Sequence, residues 1–327
     1  MTEQEERLLA RLQQDETKGS CANYLAGVDP LRRHEILTAL AFDRLRYKME
    51  LVDDLRESCA GDWNQTFYRL YFRTLGDSTN QSAYLTLAER VPYKIVLRER
   101  TTPHAVEAML LGVSGLLSLY ERDTYVLDLL RAYGHLAAKY ELEPLDASAW
   151  NLTDIRPANH PLLRIVQAAR FFVQDEFILN RTMQCRTPKE IQKLFGVEAS
   201  DYWNTHYTPA AVGESRPKRI GKFKSDIIGI NLVAVLQFAY GSYTENEKLH
   251  ENALKLLESI EPENNRFIRS WCEAGVPEPA NAFESQALLQ LAKNYCAVGR
   301  CAECPVGRRI VEKVQRMTTV GSAGEAR

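Results

Sequence analysis

The stretch LRRHEILTALAFDRLRYKMELVDDL, Leu31 to Leu55, decides the fold class. Ile36, Leu37, Leu40, Leu45, Met49, Leu51 and Leu55 recur at spacings of three and four, which gives a helix one apolar side and one charged side. The same pattern extends outward in both style and period. From Trp63 to Leu75 it aligns Phe67, Leu70, Tyr71 and Leu75. Pro103 opens an apolar helix through Met109 to Tyr120, and Asp123-Thr124 turns the chain into a second helix, 125–140. Thr187-Pro188-Lys189-Glu190 offers a capping hydroxyl, a proline at the first helical position and a glutamate spaced for a capping box. Helical runs are expected at 162–179, 225–240, 246–260, 263–274, 280–296 and 306–317. Strand character is confined to 93–98, where the preceding proline serves a helix start equally well.

The expected fold is therefore all-α, an irregular multi-helix array ending in a cysteine-containing loop. The one break in period is Asp146 to Pro161, with Trp150, Asp154, Pro157 and Pro161. It divides an N-terminal helical region, 1–145, from a C-terminal one, 146–317, the two packed as one unit. The small, polar residues 318–327 read as a flexible tail. No repeat of fixed period is present, which argues against a solenoid.

Composition narrows the function classes. The chain has 327 residues, 45% hydrophobic and 26% charged, with 41 Lys+Arg against 43 Asp+Glu. That is ample apolar surface for a folded core and no global basic charge of the kind a nucleic-acid coat carries. The acidic start, Met1-Thr2-Glu3-Gln4-Glu5-Glu6, is no secretory signal. The apolar runs 108–120 and 227–240 fall short of the ~18–20 residues of a spanning helix, so no membrane partner is expected. With seven cysteines and no export signal, the expected location is cytoplasmic and the thiols reduced or metal-bound.

Several catalytic signatures fail. Gly112-Val-Ser114-Gly115-Leu116 lacks the second glycine of a nucleophile elbow. His250-Glu251 has Leu254 where a zincin helix needs its second histidine, and Gly221-Lys222 lacks the upstream glycine of a phosphate loop. Nothing in the sequence assembles an active site.

The strongest chemical signal is Cys296, Cys301 and Cys304, within Tyr295-Cys-Ala-Val-Gly-Arg-Cys-Ala-Glu-Cys-Pro305. A Cys-x2-Cys pair with a third thiol upstream is able to converge on Zn²⁺ or an iron–sulfur cluster. The run loosely resembles the cluster loop of the endonuclease III type of DNA glycosylase, but no fourth cysteine follows. Cys272 or Cys185 would supply the fourth ligand; the plainer reading is a helix end with buried, reduced thiols.

Wider resemblance covers about Cys21 to Val311. Arg156-Pro-Ala-Asn159-His-Pro161-Leu-Leu-Arg164-Ile165, Asp201-Tyr202-Trp203-Asn-Thr-His206-Tyr207, Ile230-Asn231, Phe238-Ala-Tyr240-Gly241, Ser285-Gln286-Ala-Leu-Leu and the cysteine run are similar to an uncharacterised bacterial family, domain of unknown function 2851. Full-length members are longer at the N-terminus, with a Glu-Ile-His motif and further aspartates and histidines. The resemblance implies that this chain begins near the end of that region and lacks it. It implies a fold and no reaction.

Candidate binding residues follow from local pattern. Trp203 and His206, three apart on an expected helix start, offer a face to stack a base or hold a carboxylate; otherwise they form an amphipathic wedge. Arg156, Asn159 and Arg164 bracket two prolines that fix the backbone and aim their side chains at a phosphate, or else cap helices. Asn231 lies inside an apolar run and needs partners if buried. Two basic stretches stand out. Arg216-Pro-Lys218-Arg219-Ile-Gly-Lys222-Phe-Lys224 holds five cations and no acid, and Arg300, Arg308, Arg309, Lys313 and Arg316 surround the cysteines. The leading expectation is a non-enzymatic module binding nucleic acid or a protein partner, with Lys218, Arg219, Arg308 and Arg309 on phosphates and Cys296, Cys301, Cys304 and Cys272 on Zn or a cluster. Two rivals remain at this point. One is an enzyme whose cleft gathers Trp203, His206, Asn231 and Arg164; the other is a scaffold for a separately encoded nuclease-like region.

Overall fold

A computed structural model describes residues 3–14, 19–120, 122–209 and 211–324, with the backbone alone for 3–5 and 316–324. Helices dominate, and the protein is all-α. Among the described residues, strand pairing beyond one isolated bridge is a single antiparallel hairpin, His206–Thr208 against Ala211–Val212. The chain forms two compact units, 49–256 and a second made of 1–48 with 257–327. The division falls within the helices Pro30–Ser58 and Glu247–Ser259, not at the 146–161 break. That break is two 3-10 turns, Ala147–Ala149 and Pro157–Asn159, and the helices before and after it belong to the same unit. Trp150 anchors it by donating its indole N–H to Ser114 O at 2.8 Å.

The 49–256 unit is built on aromatic packing between two helices, Trp63–Leu75 and Pro161–Val173. Phe67, Tyr68, Tyr71 and Phe72 occupy one side of the first and are fully buried, as are Phe171 and Phe172 on the second. Tyr71 stacks on Phe171 with centroids 4.8 Å apart and planes 5° apart, and Tyr68 tilts against Phe172 at 4.9 Å. The helices Pro103–Val113 and Thr124–Tyr140 pack on this core as the expected hairpin, and Asp123 caps the second by accepting from Tyr125 N and Val126 N. The first helix stops at Val113 rather than running to Tyr120. Gly115 there has φ +72°, and a Cβ on it would lie 2.0 Å from Leu145 O, so only glycine fits the turn.

The capping box at Thr187 forms as spaced: Glu190 N donates to Thr187 Oγ1 (3.3 Å) and Thr187 N to Glu190 Oε2 (3.1 Å). The 93–98 stretch is helical, Tyr93–Glu99, with Pro92 ahead of it. Lys222–Ile228, a π-helical turn Gly229–Val233 and Ala234–Tyr243 make one continuous helix of 22 residues. It is longer than its apolar run implied, long and apolar enough to cross a membrane, and mostly buried inside the protein as a core helix is.

In the other unit, Leu9, Leu12, Ala22, Leu25, Leu37 and Leu40 are buried, together with Ile268, Trp271 and Leu288 of the helices Arg266–Glu273 and Ala282–Gln290. Buried Lys48 donates to Gln286 Oε1 at 2.6 Å, and Tyr295 donates to Asp43 at 2.7 Å. The last helix, Pro305–Gly324, runs past Thr318, where a flexible tail was expected; 325–327 lie outside the described residues.

Candidate functional site

Asp62 accepts from Asn64 N (2.8 Å) and Gln65 N (3.2 Å), starting a helix whose first two residues are Trp63 and Asn64. Trp63 meets Tyr240 edge-on at 4.9 Å and Tyr243 at 5.5 Å, and the Arg56 guanidinium lies over both Trp63 and Tyr243. Facing these rings is the helix Ile178–Met183, held by Gln237, whose amide donates to Met183 O (3.1 Å) and Cys185 O (2.6 Å). Lys248, Leu249 and Asn252 of the helix Glu247–Ser259 complete the wall.

Together they enclose a cleft of about 660 Å³ within the 49–256 unit. Three aromatic side chains line it, Trp63, Phe177 and Tyr240, with five amides, Asn64, Asn180, Gln184, Asn246 and Asn252. None of the five amide side chains makes a hydrogen bond among the described residues, and the buried Trp63 Nε1–H has no partner. Phe177 is 61% exposed. The lining cations are Arg186 and Lys248; the lining carboxylate, Glu176, is held by Arg100 at 2.6 Å. Among the described residues, no histidine, cysteine or serine lines the cleft.

The residues singled out in sequence lie elsewhere. Trp203 is fully buried in a 3-10 turn, Asp201–Asn204, and His206 begins a strand, so the pair is not one helical face. Trp203 donates its indole N–H to Glu107 Oε1 (2.9 Å), which also accepts from Tyr125 Oη (2.6 Å), while Ser200 Oγ donates to Oε2 (2.8 Å). Glu107 is 2% exposed, a buried carboxylate satisfied by three neutral donors. His206 stacks on Tyr202 at 4.1 Å and 2°, with Nδ1 2.9 Å from Tyr202 O.

Asn159, Arg164 and Lys218 are brought together, Arg164 and Lys218 turned inward and Asn159 exposed. Arg164 donates to Gln167 Oε1 (2.8 Å) and Asn159 Oδ1 (2.7 Å), and Gln167 Nε2 donates to Lys218 O (3.1 Å). Lys218 Nζ donates to Asn204 O (2.8 Å) and rests 4.5 Å from the Tyr207 ring. With Arg164 and Lys218 each 5% exposed, Lys218 is a structural cation and not the expected phosphate contact. Arg219 is tied to Glu198 (Nε to Oε1, 2.6 Å) and Arg309 to Glu312 (3.3 Å), while Arg156 and Arg308 are exposed. Arg316's side chain lies outside the described residues. Asn231, in the π-helical turn, donates back to Ile227 O at 3.2 Å. Trp203, His206, Asn231 and Arg164 each have their own partners, and none of them lines the cavity above.

His160, between the two prolines, is a cap. Its Nδ1 accepts from Leu162 N (3.3 Å) at the start of the 161–173 helix, and burial holds its pKa below the ordinary value. The folded state thus favours the neutral ring while the unfolded chain takes up a proton at about pH 6.5. Stability is complete above that pH and is lost as the pH falls through the folded pKa. His160→Asn, which keeps a capping oxygen, is expected to flatten the decline in urea midpoint between about pH 7 and pH 5; an unchanged slope would assign the decline to other groups.

The cysteine expectation is not carried by the geometry. Cys301 and Cys304 stay close enough that a charge on one raises the other, and burial pushes the Cys304 thiol up. Among the described residues, no three His, Cys, Asp or Glu side chains come together as a ligand set, so Cys272 and Cys296 do not join that pair. Gly307 packs against the cysteine loop, where a Cβ would lie 2.2 Å from Cys301 O.

The sequence family described as protein of unknown function (DUF2851) matches residues 1–266. No curated protein and no solved structure matches the chain.

Proposed function

The chain belongs to the DUF2851 family, and we propose that it is a binding module whose cleft takes the bases of a single-stranded nucleic acid. The observation that carries this reading is the meeting of three aromatic side chains and five uncommitted amides in one cleft. Aromatic faces stack any base, at about 1–3 kcal/mol each. Amide groups pair with the donor–acceptor edges of unpaired bases, which single strands present and duplexes conceal. Arg186 and Lys248 supply charge for a phosphate, and the one lining carboxylate is engaged by Arg100. With no second titratable acid, histidine or thiol beside it, the cleft is furnished for recognition rather than for proton transfer. None of the seven cysteines forms a disulfide, which suits the cytoplasm.

Fluorescence tests this directly. Trp150, Trp203 and Trp271 are buried, and Trp63 alone of the four tryptophans is not, so stacking on it dominates any quenching. Single-stranded oligonucleotides are expected to quench the signal, with duplex and neutral oligosaccharide controls inert. Two cations at about 0.7 per phosphate give a log–log salt slope of roughly −1.4. Absence of quenching by any single strand would overturn the reading, and so would a slope of about −3 or steeper, which needs about four phosphate contacts and so cations outside the cleft.

A further inference from the structure

The unit made of 1–48 with 257–327 sets two cationic side chains on one neutral oxygen. Arg44 and Lys48 are four residues apart on the helix Pro30–Ser58 and so share a face of it. Lys48 Nζ lies 2.6 Å from Gln286 Oε1, and Arg44 Nε lies 3.4 Å from the same atom. Arg44 also donates to Asn294 Oδ1 at 3.2 Å. The other end of the Gln286 amide donates to the Glu263 carboxylate. The acid therefore meets the amide nitrogen, while both basic groups crowd the amide oxygen.

Two like charges this close repel, and of the pair only the lysine is able to shed its proton. Lys48 is 8% exposed. Burial, reinforced by Arg44 and Lys293 and opposed by Glu263, holds its pKa well below the ordinary lysine value. Losing the proton sacrifices nothing at Gln286, because a neutral amine keeps an N–H to donate and gains a lone pair. The charged groups acting on that amine are Arg44 on its own helix, Glu263 ahead of the helix Arg266–Glu273, and Lys293 in the turn Leu291–Tyr295. A nucleophile is thus held among two cations and one carboxylate.

We infer that Lys48 is a carbamylation site, whose neutral amine adds carbon dioxide reversibly and carries the resulting carbamate beside Arg44. The nitrogen lone pair forms a bond to carbon as one C–O π pair moves onto oxygen, and the amine releases one proton to water. No electron is transferred, and no other reagent is needed. Burial bars a bulky carbonyl compound from the same amine. An imine or an acyl group would add no negative charge, whereas a carbamate cancels the positive excess of the three groups around it. Its oxygens also offer Arg44 an anionic acceptor in place of a neutral amide.

Trapping tests this in the full chain. Protein equilibrated with carbon-13 bicarbonate near neutral pH is treated with triethyloxonium ion, which esterifies a carbamate, then digested and read by mass spectrometry. A labelled ethyl carbamate is expected on Lys48, and it should vanish from protein purged of carbon dioxide before trapping. Arg44→Gln removes the neighbouring charge and should lower labelling of Lys48 about tenfold, the equivalent of one pKa unit. Label confined to the α-amino group would overturn the inference. So would label on Lys48 no greater than on an exposed lysine such as Lys255, a comparison that needs only the parent protein.

Discussion

Replacing Glu107 with alanine is expected to cost the protein about 3–5 kcal/mol of stability, since up to three buried donors are left unsatisfied at about 1–3 kcal/mol each. The reason is arithmetic on donors. Tyr125, Ser200 and Trp203 all direct a proton at this one carboxylate, and Trp203 is fully buried with nowhere else to turn. Burial, with the carboxylate beside it, pushes the Tyr125 hydroxyl up, so that it remains a donor across the ordinary pH range. Alanine leaves the indole N–H and two hydroxyls facing an apolar gap. Glu107→Gln retains an acceptor oxygen and should lose markedly less. Urea unfolding of the two variants checks this; a loss under about 1 kcal/mol for alanine would show that the donors find water instead.

The second large effect concerns binding rather than folding. Trp63→Ala should weaken single-stranded oligonucleotide binding about ten- to a hundred-fold, the equivalent of one lost stacking contact. Trp63 also packs on Tyr240 and Tyr243, so a fold effect accompanies the affinity effect. Phe177→Ala separates the two. Its ring is 61% exposed and lines the same cleft, so its removal should lower affinity while leaving Tm within a degree or two. If Phe177→Ala binds as tightly as the parent and Trp63→Ala loses stability alone, the stacking account fails.

How far the sequence anticipates this protein depends on the kind of information each feature needs. Helices are written in local period and caps, so the apolar stripe of 31–55, the Asp123 turn and the Thr187 capping box are legible, and all three form. The ends of helices are less so. Nothing short of Leu145 O pressing on Gly115 explains why the 103–113 helix stops where it does. Charge is legible as a run and misleading as a surface: Lys218 and Lys224 sit in the most basic stretch, yet both turn inward to backbone carbonyls. Glu107 carries no local signal at all. It is a single acid in an apolar helix, and its meaning comes from donors up to 96 residues away. The cysteines carry a strong spacing signal, and among the described residues no three His, Cys, Asp or Glu side chains gather as a ligand set.

The cleft was the hardest to foresee because its parts are scattered across separate helices and the loops between them. Each asparagine reads in isolation as hydrated surface, and Phe177 as a stray aromatic in a polar turn. Tyr240 carries a sequence signal, as part of the Phe238-Ala-Tyr240-Gly241 family motif, and it lies in the cavity wall.

Photocrosslinking puts the central claim to its sharpest test. A 5-iodouridine oligonucleotide bound to the intact chain, irradiated and mapped by peptide mass spectrometry, is expected to join covalently to Trp63, Phe177 or Tyr240. Crosslinks confined to 216–224 or 300–313, with the three cleft aromatics unmodified, would contradict it.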